Sequence, residues 1–582
     1  MDRIPMRRAA ATFLGVTALL FLQGPSRAGR TAEPLYDLVI RDARVVDGSG
    51  NPWFRADVAV SGGRIARVGR VAASEGRRVI EARGQVLAPG FIDVHAHVEN
   101  IFDQPDAENF VRMGVTTLVT GNCGGSAVDV GRFLARAAET PPAVNVATLV
   151  GHNSVRREVF GEQNRAPTPE ELERMKSLVE RAMRDGAVGL STGLIYVPGV
   201  YSKTDEVLEL ARVAARHGGV YATHMRNEGL QVADAIRESI EIGERAGMPV
   251  QISHFKISAK KLWGGSDATL GLVREARRRG LQVTIDQYAY TASSTSLDSR
   301  LPEWVLEGGR DEGRKRLADS AQRERVVREM KDGLKKSGFK DFSHAVVASY
   351  RAKPEYNGKS IAEVTKLAKG KSDVESQIAQ ILEMYAEGGA AMVYHSMGED
   401  DVRRIMREPF TMIASDSGVR RFGEGVPHPR GYGNNARVLG TYVRELRLVT
   451  LEDAVRKMTS LPAQTFALRD RGLVREGMAA DLVIFDEAAV SDPSTFEKPH
   501  QYAAGFSYVI VNGEPVVEAG RATGAHPGRA LRHAAEPAAD ASAAARRSAG
   551  AARKTFTGAD VFGAGTPRTE PAPAALGAGG RQ

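Results

Sequence analysis

The sequence predicts an α/β fold: a (β/α)₈ TIM barrel with a small β-sandwich domain formed from both chain ends and a helical insertion late in the barrel. Three observations predict it. Through the middle of the chain, short apolar runs alternate with amphipathic helical patterns, the rhythm of parallel strands joined by crossover helices. Several of those runs close on histidine or another metal-binding side chain. Both ends instead show β-branched alternation cut by turn pairs, and 582 residues exceed one ordinary core.

The chain opens with Arg3, Arg7 and Arg8, an apolar stretch over 9–22 and the small-residue segment Gly24-Pro25-Ser26-Arg27-Ala28. This pattern predicts a signal peptide over 1–28 and an exported, periplasmic or secreted product. Arg7-Arg8 matches a twin-arginine signal only weakly, so the route stays open. The apolar run is too short for a standard transmembrane helix, and no stable membrane span is expected after its removal.

Net charge argues against a nucleic-acid partner. Of the formal +8, residues 1–28 carry +3 and residues 526–582 carry +4, which leaves a nearly neutral body. Nothing in the sequence specifies an oligomeric state.

Residues 36–88 hold short alternations such as Leu38-Val39-Ile40 and Val58-Ala59-Val60, with Gly62-Gly63 as a turn. A similar texture returns over 470–522, in Leu482-Val483-Ile484-Phe485 and Tyr508-Val509-Ile510-Val511. The two segments are expected to pair into one sandwich. The barrel is expected over 89–469, with strands ending at His95-Ala96-His97, Asn122-Cys123, Gly151-His152, Leu190-Ser191, Thr223-His224, Ser253-His254, Asp286-Gln287-Tyr288 and Ser415-Asp416. One helix is clearly signalled: Thr168 as N-cap, Pro169 at the first position, Glu171 completing a capping box, and a face of Leu172, Met175, Leu178, Val179 and Met183. A mostly helical insertion is expected over about 298–390, because that gap is too long for a strand-to-helix connection. The run Ala391-Met392-Val393-Tyr394-His395 competes for a place among the last strands. From 524 to 582, Ala, Gly, Pro and Arg dominate without periodicity, which predicts a disordered tail.

In a barrel of this kind, polar residues at the C-terminal strand ends converge on one face. His95 and His97, two residues apart on a strand, point to the same side and suit capture of one ion. His224 and His254 close later strands, Cys123 an earlier one and Asp416 the last. Any one could be a core residue or a cap. Together, four histidines, a thiol and a carboxylate at strand ends point to a metal site. Cys123, the only cysteine, cannot form a disulfide within the chain, which leaves filler, nucleophile or ligand. The softer set, Cys123 with His224 and His254, suits one tightly held Zn²⁺ with an open position. His95, His97 and Asp416, with Cys123 able to bridge, would form a second, weaker position.

Gly90-Phe91-Ile92-Asp93-Val94-His95-Ala96-His97, preceded by a β unit, resembles the amidohydrolase superfamily. Gly121-Asn122-Cys123-Gly124, the run Gly186-Ala187-Val188-Gly189-Leu190-Ser191-Thr192-Gly193-Leu194, Ser253-His254-Phe255-Lys256 and Pro427-His428-Pro429-Arg430 resemble its N-acyl-D-amino-acid deacylase (D-aminoacylase) branch. The His-x-His motif is shared widely; Gly-Asn-Cys-Gly with Pro-His-Pro-Arg is far narrower. Other branches bridge two metals with a carboxylated lysine near the end of the fourth strand. Leu190-Ser191-Thr192 stands there, and the resemblance implies that Cys123 supplies the bridging charge.

The resemblance implies zinc-dependent hydrolysis of the amide of an N-acyl-D-amino acid, with Asp416 as general base. It places Lys256, Tyr288, Ser294 and Arg430 at the carboxylate of this small-molecule substrate. His152 is a candidate for a hydrogen bond to the substrate carbonyl or to a metal ligand. Two features depart from the family pattern: Tyr288-Ala289-Tyr290 lacks a central proline, and residues 418–426 form a long segment before Pro427. Competing expectations are a cyclic amidase or D-dipeptidase of the same superfamily, a non-catalytic exported binding protein, and a nucleophilic Cys123.

Overall fold

The computed structural model describes residues 34–533 of the chain. The expected signal segment 1–28 and the tail beyond 533 lie outside the described residues. No helix among the described residues is long and apolar enough to cross a membrane.

The centre of the molecule is built from parallel strands. Phe91–Asp93, Val115–Thr120 and Asn145–Thr148 pair in succession. Val150–Gly151, Gly189–Gly193, Val220–His224, Val250–Ile252, Val283–Gln287 and Thr411–Ile413 form a second parallel series. Leu149, which donates to the Thr120 carbonyl at 2.9 Å, links the two series. A parallel bridge between Ala96 and Ser417 joins the first strand to the last. Val115–Thr120 is buried along its whole length, as a β-branched strand covered on both faces must be.

Helices pack between these strands for reasons local to their sequences. In Pro169–Arg184 the Thr168 side chain accepts from the Glu171 amide, Glu171 accepts from the Thr168 amide, and Met175, Val179, Ala182 and Met183 are buried. Leu172 and Leu178 lie at the edge of the same apolar face.

The chain ends share one nine-stranded sheet rather than two separate units. Tyr36–Val45 pairs with Phe54–Ser61, with Gly76–Glu81 along its first half, and with Val86–Pro89 at its end. A register shift between Ile40 and Ala43, with Asp42 at φ 50°, bends the strand between its two partners. Val86–Pro89 then pairs with Leu482–Phe485 from the other end. Leu38, Ile40, Val58, Val60, Leu482, Ile484 and Ile510 fill one core there. Buried Asp481 fastens this sheet to the parallel strands: it pairs with Arg471, accepts from the Asn512 amide at 2.7 Å, and accepts from Asn145 at 3.0 Å.

Two expectations need correction. The segment expected as a mostly helical insertion over 298–390 also contributes one strand, Ala345–Ser349, to a three-stranded antiparallel sheet in which Ala391–Tyr394 lies between it and Ser293–Ser296. The competing strand therefore belongs to this small antiparallel sheet, and Thr411–Ile413 is the last parallel strand. Around the small sheet, Val305, Val326, Val347, Ile361, Ile381 and Met392 form a separate core. The expected tail also begins later than 524: Ala530 bridges Val146 in parallel, Leu531 donates to the Val146 carbonyl at 2.8 Å, and His533 donates to the Gly186 carbonyl at 3.0 Å. Val146 lies on the strand Asn145–Thr148, whose free backbone groups this segment satisfies.

Candidate metal centre and active site

The ends of the parallel strands and the loops after them carry the candidate ligands, and the local sequence explains how they reach one point. Gly124, at φ 76°, leaves no room for a side chain: a Cβ there would lie 2.1 Å from Asn153 Oδ1. Ser191, fully buried, ties down both sides of this turn, accepting from the Gly124 amide at 3.1 Å and donating to the Gly121 carbonyl. This buried serine therefore positions the Cys123 loop. Cys123, His254 and Asp416 all have positive φ, at 52°, 36° and 51°. Each such conformation costs of order 1–3 kcal/mol, and the surrounding packing holds it.

Cys123 Sγ lies 3.3 Å from His95 Nε2, 3.5 Å from His224 Nδ1 and 3.6 Å from His254 Nε2. Asp416 Oδ1 lies 3.2 Å from His97 Nε2 and 3.6 Å from His95 Nε2. Three groups, His95–His97–Cys123, Cys123–His224–His254 and His95–His254–Asp416, each hold their ligand atoms within 4.8 Å of one another. All six expected ligands thus converge. The donor set fits zinc: His224 turns Nδ1 toward the Cys123 sulfur, while its buried Nε2 lies 3.7 Å from Glu228 Oε2. The His97 side chain is 38 % exposed, whereas that of His95 is fully enclosed, so the first two ligands differ in access to solvent.

The electrostatics favour anionic donors. Burial pushes the Cys123 thiol up, but charge on His95 and hydrogen bonds from His224 and His254 hold it well below its ordinary range. Burial likewise opposes ionisation of Asp416, yet Arg430 and His95 hold its carboxyl well below the usual carboxylate range. Burial keeps His224 below its ordinary value despite the nearby Glu228 carboxylate, which leaves a neutral imidazole for coordination.

Several residues that sequence reasoning did not assign hold this constellation in place. Asp286 Oδ2 lies 3.3 Å from His95 Nδ1, and Asp286 Oδ1 accepts from the His254 amide at 2.8 Å. Glu228 Oε1 lies 2.8 Å from His254 Nδ1 and 2.5 Å from Lys256 Nζ. Carboxylates behind the outer imidazole nitrogens fix ring orientation. Asp93, raised to about 6 by burial against hydrogen bonds from Ser415, accepts the Ser415 amide at 3.1 Å and so ties the first strand to the last. Tyr196 stacks edge-on against His224 with ring centroids 4.7 Å apart.

A cavity of about 880 Å³ opens above the ligands, lined by His97, Cys123, His224, His254 and Asp416 and by Lys256, Ser294 and Arg430. Arg300, Leu301, Met330, Leu334 and Phe339, from the segment between Val283–Gln287 and Thr411–Ile413, also line it. The expected substrate residues fare differently. Arg430 lies on Asp416, with Nη1 to Oδ2 at 2.9 Å, and Lys256 is held by Glu228. Ser294 lines the cavity while donating to the Met392 carbonyl at 2.8 Å. Tyr288 is not among the lining residues: its hydroxyl meets Met397 Sδ at 3.6 Å, and its ring face supports Arg430 from 4.4 Å. His152 is also away from the cavity, buried with Nε2 2.9 Å from Glu206 Oε1, because Glu206 is shared there with buried Arg156.

Histidine, thiolate and carboxylate donors above parallel strands, beneath a cavity of small-molecule size, define the class of metal-dependent hydrolases. The chain belongs to the amidohydrolase family, whose model matches residues 78–517. It is 36 % identical over 525 residues to a D-aminoacylase of Alcaligenes xylosoxydans xylosoxydans, covering 86 % of this chain and 98 % of that protein. A crystal structure of D-aminoacylase superposes with a TM-score of 0.73 at 36 % identity, over 85 % of this chain and all of that one. The N-acyl-D-glutamate deacylase of Bordetella bronchiseptica, solved with zinc and a phosphonate mimic of the tetrahedral intermediate, superposes with a TM-score of 0.74 at 33 % identity, over 86 % of this chain and all of that one.

Proposed function

We propose that this protein hydrolyses the amide bond of N-acyl-D-amino acids, yielding a D-amino acid and a carboxylate. One observation carries the reading: the Cys123 thiolate lies within 3.6 Å of His95, His224 and His254, with Ser191 in place of a bridging lysine. The similarity to D-aminoacylase and to N-acyl-D-glutamate deacylase supports both the linear amide and the D configuration.

Cys123, His224 and His254 would hold one Zn²⁺ tightly; His95, His97 and Asp416 would offer a second, weaker position. When bound, the ion supplies Lewis acidity and eases deprotonation of water. Asp416 takes the proton of the attacking water on its carboxylate. It then returns that proton to the amide nitrogen as the C–N bond breaks, so the leaving group departs as a neutral amine. Arg430 keeps Asp416 ionised between turnovers and faces the substrate carboxylate from the cavity wall, with Lys256 and Ser294 nearby.

This reading includes a (β/α)₈ barrel over 89–469, supported by the successive parallel pairings and the Ala96–Ser417 bridge. It also includes an end domain of 36–88 with 470–522, an insertion around 298–390, and export through residues 1–28. A zinc-quantified sample assayed on N-acetyl-D-methionine, its L-enantiomer, hydantoin and D-containing dipeptides tests the reaction. Hydrolysis of the D-acyl substrate is expected; ring opening alone would overturn the proposal.

A further inference from the structure

The motif Pro427-His428-Pro429-Arg430 contains a side chain that the mechanism above does not use. His428 is buried, and its two ring nitrogens reach two different elements. Nδ1 accepts from the Arg430 amide at 3.0 Å, where the helix Arg430–Arg437 begins and its first N–H groups lack partners within the helix. Nε2 donates to the carbonyl of buried Ala292 at 2.8 Å, just before the strand Ser293–Ser296. An amide can only donate and a carbonyl can only accept, so these partners fix the neutral ring with its proton on Nε2. Burial and the nearby Arg430 charge hold the ring well below the ordinary histidine range, in keeping with that form. Tyr288, Tyr290 and Phe496 meet the ring edge-on, with centroids 5.9, 5.2 and 5.1 Å away. Arg430 returns to the same strand, its Nη2 donating to the Ser294 carbonyl at 3.4 Å. His428 and Arg430 thus close a loop of hydrogen bonds around the strand that carries Ser294.

We infer that His428 is a positioning residue for the proposed deacylation, on which this inference rests: it sets the spacing between Arg430 and Ser294, and with it the seat they offer the substrate carboxylate. Both ring nitrogens are occupied by backbone groups, so His428 acts through Arg430 and Ser294 rather than on the substrate. A guanidinium grips a carboxylate through two parallel N–H groups, and a displacement of about 1 Å at such a seat costs up to about 100-fold. Three substitutions separate the two bonds of the ring. Asparagine keeps an acceptor where Nδ1 stands, glutamine keeps a donor where Nε2 stands, and leucine keeps neither.

The test compares zinc-loaded wild type, His428→Leu, His428→Asn, His428→Gln and Tyr290→Phe on N-acetyl-D-methionine and on its neutral carboxamide. His428→Leu is expected to raise KM for the acid about 10- to 100-fold with kcat within about threefold, and to shift kcat/KM for the carboxamide by less than about threefold, at unchanged zinc content. His428→Asn, which keeps the bond to Arg430, should recover most of that loss, and His428→Gln less of it. Tyr290→Phe removes the hydroxyl that donates to Asp492 at 2.7 Å and loosens the same packing without touching either hydrogen bond of His428. It should lower the urea midpoint and leave the acid-to-carboxamide ratio that of the wild type. The product D-methionine, followed calorimetrically, should bind His428→Leu about tenfold or more weakly. Equal losses on acid and carboxamide, a wild-type KM in His428→Leu, no recovery in His428→Asn, a shifted ratio in Tyr290→Phe, or failure of all three His428 variants to fold would overturn the inference. A wild type that binds D-methionine more tightly than His428→Leu yet hydrolyses neither substrate would overturn the deacylase reading and leave the positioning role standing.

Discussion

At the scale of single residues, Cys123 has the most to answer for. Three imidazoles surround its sulfur and nothing else in the chain can supply a second thiolate, so its loss removes both charge and geometry. Cys123→Ala is expected to eliminate tightly bound zinc and activity together while the far-UV circular dichroism stays that of the wild type; metal analysis and an activity assay on the same sample check it. The ligands were legible because each one ends an apolar run. Glu228 and Asp286 were not, since their roles rest on contacts to His254 and His95 that no spacing rule reveals. Tyr288 and His152 take partners that spacing does not reveal: the Tyr288 hydroxyl meets Met397 while its ring lies under Arg430, and His152 meets Glu206.

Helices and loops carry the next set of consequences. The Pro169–Arg184 helix was readable to its first residue because capping is local chemistry. Thr168→Ala, which removes the acceptor for the Glu171 amide, should lower stability by about 1 kcal/mol, read as a reduced urea midpoint with an unchanged slope. Glu206, on the helix Thr204–Arg216, reaches across to His152 and Arg156 on the helix His152–Phe160. Burial raises its carboxyl, but hydrogen bonds and charge from His152 and Arg156 bring it below its ordinary value of 4.5. A depressed carboxyl stabilises the fold above its unfolded value, and that contribution is lost as pH falls through the folded value. Glu206→Gln should therefore cost about 3 kcal/mol at neutral pH, by stranding buried Arg156. The gap to the wild type should narrow as pH drops below 4.5, in urea melts run across that range. By contrast, the four-residue run Ala391–Tyr394 could not be placed from sequence, because an apolar run of that length does not announce its partners.

For the whole molecule, the candidate ligands come from strand ends separated by more than 300 residues, His95 to Asp416, so an ion bound among them would tie together the first and last parallel strands. Removing metal with a chelator should abolish hydrolysis and lower the melting temperature, and zinc added back should restore both. Retained activity after verified metal loss would contradict the assignment. From the linear order alone one can read the alternation of strand and helix, the kinship of the two chain ends, and the six side chains that converge as candidate ligands, because periodicity and residue type are local properties. Only the tertiary structure placed Ser191 under the Cys123 loop, set the Tyr288 hydroxyl on Met397 and His152 on Glu206, and turned one run into the middle of an antiparallel sheet. Those outcomes depend on which distant groups satisfy each buried charge and backbone dipole, and that accounting exists only once the chain has closed on itself.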